Sequence, residues 1–354
     1  MTWRRLSTRS LVLLLLVAVL IVGLRLALPY WATRTINAKL DKLGDYHGRI
    51  EDVDIQLWRG AYAINDLVIV KRSGKVPVPF VDAPLIDISV SWREILQGEI
   101  VAEVVFEGPQ LNFVDGTGGA EDQSGRGVDW RQALRELVPI RLNEVRVHDG
   151  TVAFRAFNTK PPVDMEATDF EATILNLTNV RGEGGHRVAK LEAEAKILGQ
   201  APLRSHAAFD PFGTLDDFAF DVQVVGIEAV RLNPVLQAYA SIDVASGRGD
   251  FTMELEAKEG VLKGYAKPLF QNLNVFSWEQ DVEKQKDNPL RLAWEALTGG
   301  VMAVLKNHPA DQFATRIPIS GNLKNPNLDR WEALLAILHN AFVEAFKPQL
   351  EKRD

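Results

Sequence analysis

From Arg49 onward the chain alternates between apolar and polar residues. Val53, Ile55 and Leu57 interleave with Asp52, Asp54 and Gln56, and Ile86, Ile88, Val90 and Trp92 interleave with Asp87, Ser89 and Ser91. The beat returns at Ile100, Ala102, Val104 and Phe106, then at Val152, Phe154 and Ala156, and at Phe170, Ala172 and Ile174. It returns again at Phe218, Phe220, Val222 and Val224, and at Phe251, Met253 and Leu255. Successive side chains on a strand point to opposite faces, so a period of two marks strands with one face buried and one wet. Shorter or less regular pieces (Ala61 to Val70, Leu111 and Phe113, Ala189–Leu198, Val261 to Phe270) lie between turns rich in Gly, Pro and Asp.

The pattern predicts a mainly β chain, with roughly a dozen strands between residues 50 and 275 in one long, curled, mostly antiparallel sheet. At about 4.8 Å per strand such a sheet is roughly 60 Å wide, and an open sheet of that width curls, splits or closes. His148-Asp149-Gly150, between Leu142–Val147 and Thr151–Phe157, predicts a hairpin turn. The stretches IVAEVVFEGPQLNFVDG and PIRLNEVRVHDGTVAFRAF look like a loose internal repeat.

Both ends follow another rhythm. Ser10 to Leu24 is uncharged and apolar, bracketed by Arg9 and Arg25, with Arg4 and Arg5 further upstream. Fifteen helical residues reach about 22 Å, against a hydrocarbon core of about 30 Å. Extending the segment from Leu6 to Leu28 makes it an anchor if Arg25 snorkels to the interface, where Tyr30 and Trp31 would form an aromatic belt. The basic flank places the N-terminus in the cytoplasm and exports the rest. A cleaved signal peptide is the rival reading, but Leu26-Ala27-Leu28-Pro29 makes a poor cleavage site.

Pro29 suits the first position of a second, juxtamembrane helix carrying Ile36, Leu40 and Leu43, with Gly44 just past its end. Near the other terminus Pro289 opens a helix with Leu290, Trp294, Leu297, Val301 and Leu305 on one stripe, interrupted at Gly299-Gly300. Ile317–Leu323 reads as a last strand. A final helix, Leu328 to Phe346, lines up Leu328, Trp331, Leu335, Leu338, Phe342 and Phe346, a face suited to docking on the sheet. The organisation is therefore 1–28 head and anchor, 29–48 juxtamembrane helix, 49–285 extended β region and 286–354 helical region with a short strand.

Composition narrows the chemistry. The 354 residues include no cysteine, which removes disulfides and thiolate metal sites. With 40 basic and 47 acidic residues spread along the chain, the net charge of −7 gives no basic stripe for nucleic acid. Asp115 to Gly127 is Gly-rich, but Glu121 stands where a dinucleotide fingerprint needs glycine, and three acidic residues would repel phosphate. A solvated connector explains it, feeding a short helix with Asp129, Trp130, Leu134 and Leu137. The six histidines lack metal-ligand spacing, no hydrolase or zinc-protease motif occurs, and His148-Asp149 is explained by its turn. Glu51, Asp52 and Asp54, and Asp216-Asp217, read as solvated charges, and Asn176-Leu177-Thr178 is a sequon by pattern alone. Neither catalysis nor a cofactor is expected.

SWREILQGEIVAEVVFEGPQLNFV, LNEVRVHDGTVAFRAF and the later RIPISGNLKNPNLDRW together resemble the AsmA-like proteins of Gram-negative envelopes, in the branch known as a domain of unknown function. The resemblance covers most of residues 1 to 330. It implies a taco-like sheet with an apolar concave face, related to bridge-like lipid-transfer proteins. It also implies a single-pass inner-membrane location with the bulk in the periplasm, and a role in moving phospholipid or maintaining the outer membrane.

The strand pattern nominates Ile86, Ile88, Val90, Val104, Phe106, Val152, Phe154, Ile174, Phe218, Phe220, Phe251 and Met253 as a track for phospholipid acyl chains, with Arg25, Tyr30 and Trp31 at the membrane interface. The same residues would also make a dry sandwich core, which periodicity cannot distinguish from a lipid-filled groove. The alternative function is a membrane-tethered scaffold whose terminal helix engages an envelope partner.

Overall fold

The computed structural model describes residues 8–56, 60–90, 101–116, 121–125, 128, 141–177, 189–210, 216–240, 242–278, 312–314, 316–324 and positions 333, 334, 337, 338 and 341. Expectations at Leu57, Trp92, Ile100, the helix at 129–137, Thr178 of the sequon, the helix from Pro289 and Leu328, Trp331, Leu335, Phe342 and Phe346 lie outside these residues.

Thr8–Leu40 form one helix, α1, with Pro29 inside it. The break expected at Pro29 is absent. Proline removes one helical N–H and crowds the carbonyl four residues back, yet packing further along holds the helix together. Ala32 and Ile36 lean on a core formed by Leu40, Leu43, Tyr46, Ile50 and Val53, with Leu40 fully buried. Asn37 fastens the junction: its Nδ2 donates to the Ile50 carbonyl (3.2 Å) and its Oδ1 accepts from the Ile50 N–H (2.7 Å). Gly44 has a φ of 59° and serves the turn into the first strand, since the helix has already ended at Leu40. Among the described residues no helix is long and apolar enough to cross a membrane; most side chains of Ser10–Leu24 lie outside them.

The strands are β1 Tyr46–Arg49, β2 Asp52–Gln56, β3 Ala61–Lys71, β4 Val81–Val90, β5 Val101–Glu107, β6 Gln110–Val114, β7 Arg141–Ala156, β8 Val163–Leu175, β9 Ala189–Ile197, β10 Ala201–Phe209, β11 Phe218–Glu228, β12 Ile242–Lys258, β13 Val261–Trp278, β14 Gln312–Ala314 and β15 Ile317–Asn322. All fifteen belong to one sheet. Its path is β1-β3-β4-β5-β7-β8-β9-β10-β11-β12-β13-β14, with β2 also on β3, β6 on β4 and β7, and β15 on β13. Since β1 and β14 end the path, the described sheet does not close on itself, and no described strand belongs to a second sheet. Pairing is antiparallel except where β5 and β6 run parallel to β7.

The hairpin expected at His148-Asp149-Gly150 is instead a bulge inside β7. Asp149 takes a φ of 52°, and the pairing with β8 slips on both sides of Gly150. Inserting an extra residue bends a strand without ending it. Here it changes which parity is apolar, from Val145 and Val147 to Val152 and Phe154. Val147 aligns with Ala172 and Ala193, while Val152 aligns with Ala167 and Ile197. Ala193 and Ile197 are four residues apart on β9, so both apolar sets of β7 share one face.

The Gly-rich stretch is also not simply a solvated connector. Its described part pairs with β6 through a bridge between Val114 and Gln123, and Gln123 is fully buried. The Gln123 Nε2 donates to the Asn112 carbonyl (3.0 Å), and the Gly125 N–H donates to the Tyr46 hydroxyl (3.0 Å). Because β4 reaches β6 only at Val81 and Asp82, the rest of that β6 edge needs another partner, which this segment supplies.

Four elements were not anticipated: β1, most of which lies within the 29–48 stretch expected to be helical, β14, and two more. One is β10, whose inward positions Leu203, Ser205 and Ala207 are too small or polar to stand out. The other is a helical connection, a 3₁₀ turn Ala229–Leu232 followed by α2 (Asn233–Ala240). At the far edge Ala333 and Leu334 are buried against Leu262, Ile317, Ile319 and Leu323, with Ile337, Leu338 and Ala341 beside them. The glycine at 321 permits this approach, because a Cβ there would lie 2.6 Å from Ile337.

Candidate functional site

The strand register assembles the alternating residues into rows that cross the sheet. One row runs Ile64, Ile86, Phe106, Val147, Ala172, Ala193, Ser205, Val222, Met253, Ala266, Ile317. The next runs Tyr62, Ile88, Val104, Val145, Ile174, Leu191, Ala207, Phe220, Leu255, Gly264, Ile319. Each crosses ten inter-strand spacings, about 48 Å. Ser205 is the one polar hydroxyl within the span from Ile64 to Ile317, and its Oγ donates to the Asp221 carbonyl at 2.8 Å. The row thus presents almost no unsatisfied polarity.

The opposite face is charged. Its corresponding row carries Asp87, Val105, Arg146, Thr173, Glu192, His206, Asp221, Glu254 and Tyr265. Ion pairs lie across it, among them Lys196 with Asp169 (2.6 Å) and Arg204 with Glu194 (3.1 Å). Exposed pairs of this kind add little stability, and they suit a face turned to water.

Among the described residues, four cores use parts of the apolar face. At the β1 edge Ile86, Ile88 and Val104 are buried in a core they share with Leu40, Leu43 and Tyr46, with Val90 and Phe106 packed against it. At the other edge Phe218 is buried, and Phe220, Phe251 and Met253 flank the core that Ala333 and Leu334 share. Phe154 meets α2, its ring 6.4 Å from that of Tyr239. Val152 and Ile174 are half-buried and outside all four cores. The register therefore brings nominated residues onto a shared surface, while several of them are covered by the chain itself.

Across the end of β7, β8 and β12, α2 acts as a strut on the apolar side. Val235 and Tyr239 pack on Ala156, Val163 and Met165, and Leu236 packs on Val244. The Tyr239 hydroxyl donates to Asp115 Oδ2 (2.6 Å) in a buried contact. Further face residues escaped the sequence reading: Val145, Val147, Leu191, Ala193, Leu203 and Ala207. Val145 and Val147 alternate with Glu144, Arg146 and His148 in β7, whereas the other four lie in the weak alternation of AKLEAEAKI and of β10, where alanines replace large apolar residues.

No family model matches this chain, and no curated protein matches it. The site must be read from its own geometry.

Among the described residues no group of three or more His, Asp or Glu side chains could hold a metal. His148 and Asp149 clamp the bulge: the His148 ring lies 2.8 Å from Glu171 Oε2, and the Asp149 N–H donates to Glu171 Oε1 (2.8 Å). Burial works to raise the Glu171 pKa, but the Asp149 N–H and His148 outweigh it and hold the carboxyl below its usual range. Of the interface residues, Tyr30 and Trp31 are exposed on α1 (71% and 65%), as is Arg25.

On the charged face the hydrogen bond to Asp221 (2.9 Å) raises the His206 pKa. A pKa raised in the folded state stabilises fully below the unfolded value of about 6.5 and loses that contribution as pH rises through the folded value. Asp221→Asn is expected to bring the His206 titration back toward the unperturbed value, read by NMR. An unchanged midpoint would refute the pairing.

Proposed function

We propose that the chain is an inner-membrane-anchored, periplasmic protein that binds or conducts phospholipid along its apolar sheet face, in the service of outer-membrane maintenance. The observation that carries this reading is the pair of mainly apolar rows, broken by Ser205 in one and by Tyr62 and Gly264 in the other, which face away from a charged surface on a described sheet that does not close on itself. An apolar face of that extent needs an apolar cover, and acyl chains are suited to it without any reactive residue. α1 fits the anchor: Val12, Leu15, Leu16 and Val19 are exposed on it, ahead of Tyr30 and Trp31 where an interface belt would sit. Its N-terminus would face the cytoplasm. The resemblance to AsmA-like proteins points the same way.

A scaffold that recruits an envelope protein through the terminal helix is the second reading. It is disfavoured because Ala333 and Leu334 of that helix are already buried against the chain's own sheet. Lipid extraction and mass spectrometry of the purified full chain provide the test. Co-purifying phospholipid is expected, and a lipid-free protein that stays folded would remove the proposal.

A further inference from the structure

Backbone interruptions line up across the sheet. In β3 Asp66 takes a φ of 52° between the pairs Asn65–Leu85 and Leu67–Ala83, level with Pro84 of β4. Glu107 pairs with Leu85 and with His148, and the residues that follow are Gly108 (φ 62°) in one strand and Asp149 (φ 52°) in the other. Gly150 pairs with Phe170, beside Asp169 (φ 50°) at the register slip between β8 and β9. The β9–β10 hairpin turns back close by, at Leu198 and Gly199 (φ 53° and 77°), just past the Thr168–Lys196 pair. The line resumes at Gly226 in β11 (φ 75°), Gly247 in β12 (φ 142°) and Asn272 in β13 (φ 51°), each within a register slip.

Such interruptions bend strands and break the ladder that would hold the two sides at one angle. They divide the sheet into a long tier and a short one. The short tier contains β6 and the adjoining ends of β7 and β8 on one side, and the start of β12 and end of β13 on the other. Where β9 and β10 turn back, α2 spans the two sides. Its Val235 and Tyr239 pack on Ala156, Val163 and Met165, and the Tyr239 hydroxyl donates to Asp115 Oδ2 (2.6 Å). On the β12 side Leu236 packs on Val244, whose N–H donates to Asn233 Oδ1 and whose carbonyl accepts from Asn233 Nδ2, both at 2.9 Å. At β3 and β4 the line is pinned, because Ile64 and Ile86 on one side and Ile69 and Ala83 on the other are buried in one core.

We infer that this line is a hinge and that α2 is the clasp that sets its angle, tying the β6–β8 side of the short tier to the β12 side. Hinges place a large backbone rotation on a few residues. Outside the hairpin turn, the residues on this line with positive φ are Gly, Asp or Asn, the types that adopt it most readily. The two grips of the clasp differ. Asn233 holds backbone through two hydrogen bonds, whereas Tyr239 holds one carboxylate through one, so the Tyr239 grip is the one that releases. Six residues of β7 carry the short tier about 20 Å past the line, and a tilt of about 15° moves its tip by about 5 Å. The inference is independent of what the apolar face binds.

The chain has no cysteine, so introduced cysteines take spin labels selectively. One pair, Asp164→Cys in β8 with Ala245→Cys in β12, spans the short tier. A second pair, Glu103→Cys in β5 with Glu256→Cys in β12, spans the long tier. Double electron–electron resonance on the full chain should give one narrow distance for each pair. Tyr239→Phe keeps the ring and removes the hydroxyl, and should lengthen the 164–245 distance by about 5 Å while leaving 103–256 unchanged. Asp115→Asn keeps a side-chain acceptor and should stay closed. If Tyr239→Phe fails to fold, Asp115→Ala breaks the same grip from its other side and should open the short tier equally. An unchanged 164–245 distance in folded Tyr239→Phe or Asp115→Ala, or an equal change in 103–256, would overturn the hinge. Asp115→Asn opening as far as Asp115→Ala would overturn the clasp.

Discussion

Gly264→Val is expected to destabilise the protein by more than about 3 kcal/mol, the range of severe overpacking. Gly264 lies in β13 opposite Leu255 of β12. A Cβ on it would sit 2.1 Å from the Glu254 carbonyl oxygen and 2.9 Å from the Leu255 Cα. Both atoms are backbone within a paired strand, so neither can swing aside as a side-chain tip would. The strands must separate, and the core of Leu255, Ala257, Leu262 and Ile319 separates with them. Chemical denaturation followed by circular dichroism checks this. A midpoint within error of the unsubstituted chain would contradict the close approach.

The second large effect concerns α1. Leu15 and Val19 are exposed by 65% and 62%, and under the anchor reading both face lipid. Lysine near the centre of a membrane helix costs about 2.5–3.5 kcal/mol. The double substitution Leu15→Lys with Val19→Lys should therefore shift partitioning by about 5,000- to 100,000-fold, moving the chain from the membrane pellet to the soluble fraction after alkaline extraction. Retention of the double variant in the pellet would count against α1 as the anchor. The folded body should be unaffected, because the described contacts of α1 with the sheet begin at Ala32.

Much of the sheet was legible because large apolar residues alternate with charges in β4, β5, β11 and β12. There a one-residue slip would bury an aspartate or glutamate, so the pattern and the register agree. Legibility failed where the apolar face uses small residues. Ala193, Ala195 and Ala207 carry little hydrophobic signal one by one, and their significance lies in alignment with neighbours far away in sequence. The hairpin at Asp149 was misread because Asp-Gly serves a turn and a bulge equally well at the level of two residues. Only the apolar set that changes parity across it, Val147 to Val152, distinguishes them. Pro29 misled for a related reason: its local cost is real, but Asn37 and Leu40 fix the helix from a distance. The register puts the nominated track residues on one face, yet periodicity gave no means of seeing that Ile88 and Val104 are buried in the same core as Leu40.

The parallel join at β7 sets an order of assembly. Elsewhere neighbouring strands mostly follow one another in sequence, so each can pair with the strand made just before it and little chain entropy is lost at each step. β7 differs. It aligns with β5 and β6 only after the connection from Asp115 to Ile140 has crossed back. A chain emerging N-terminus first would complete β1 to β6 and then pause, its β5 and β6 edges bare, until β7 arrives. During that interval the unfinished edge is open to pairing with other chains. Gln123 pairs with the opposite, β4-facing edge of β6 and leaves the edge that waits for β7 uncovered.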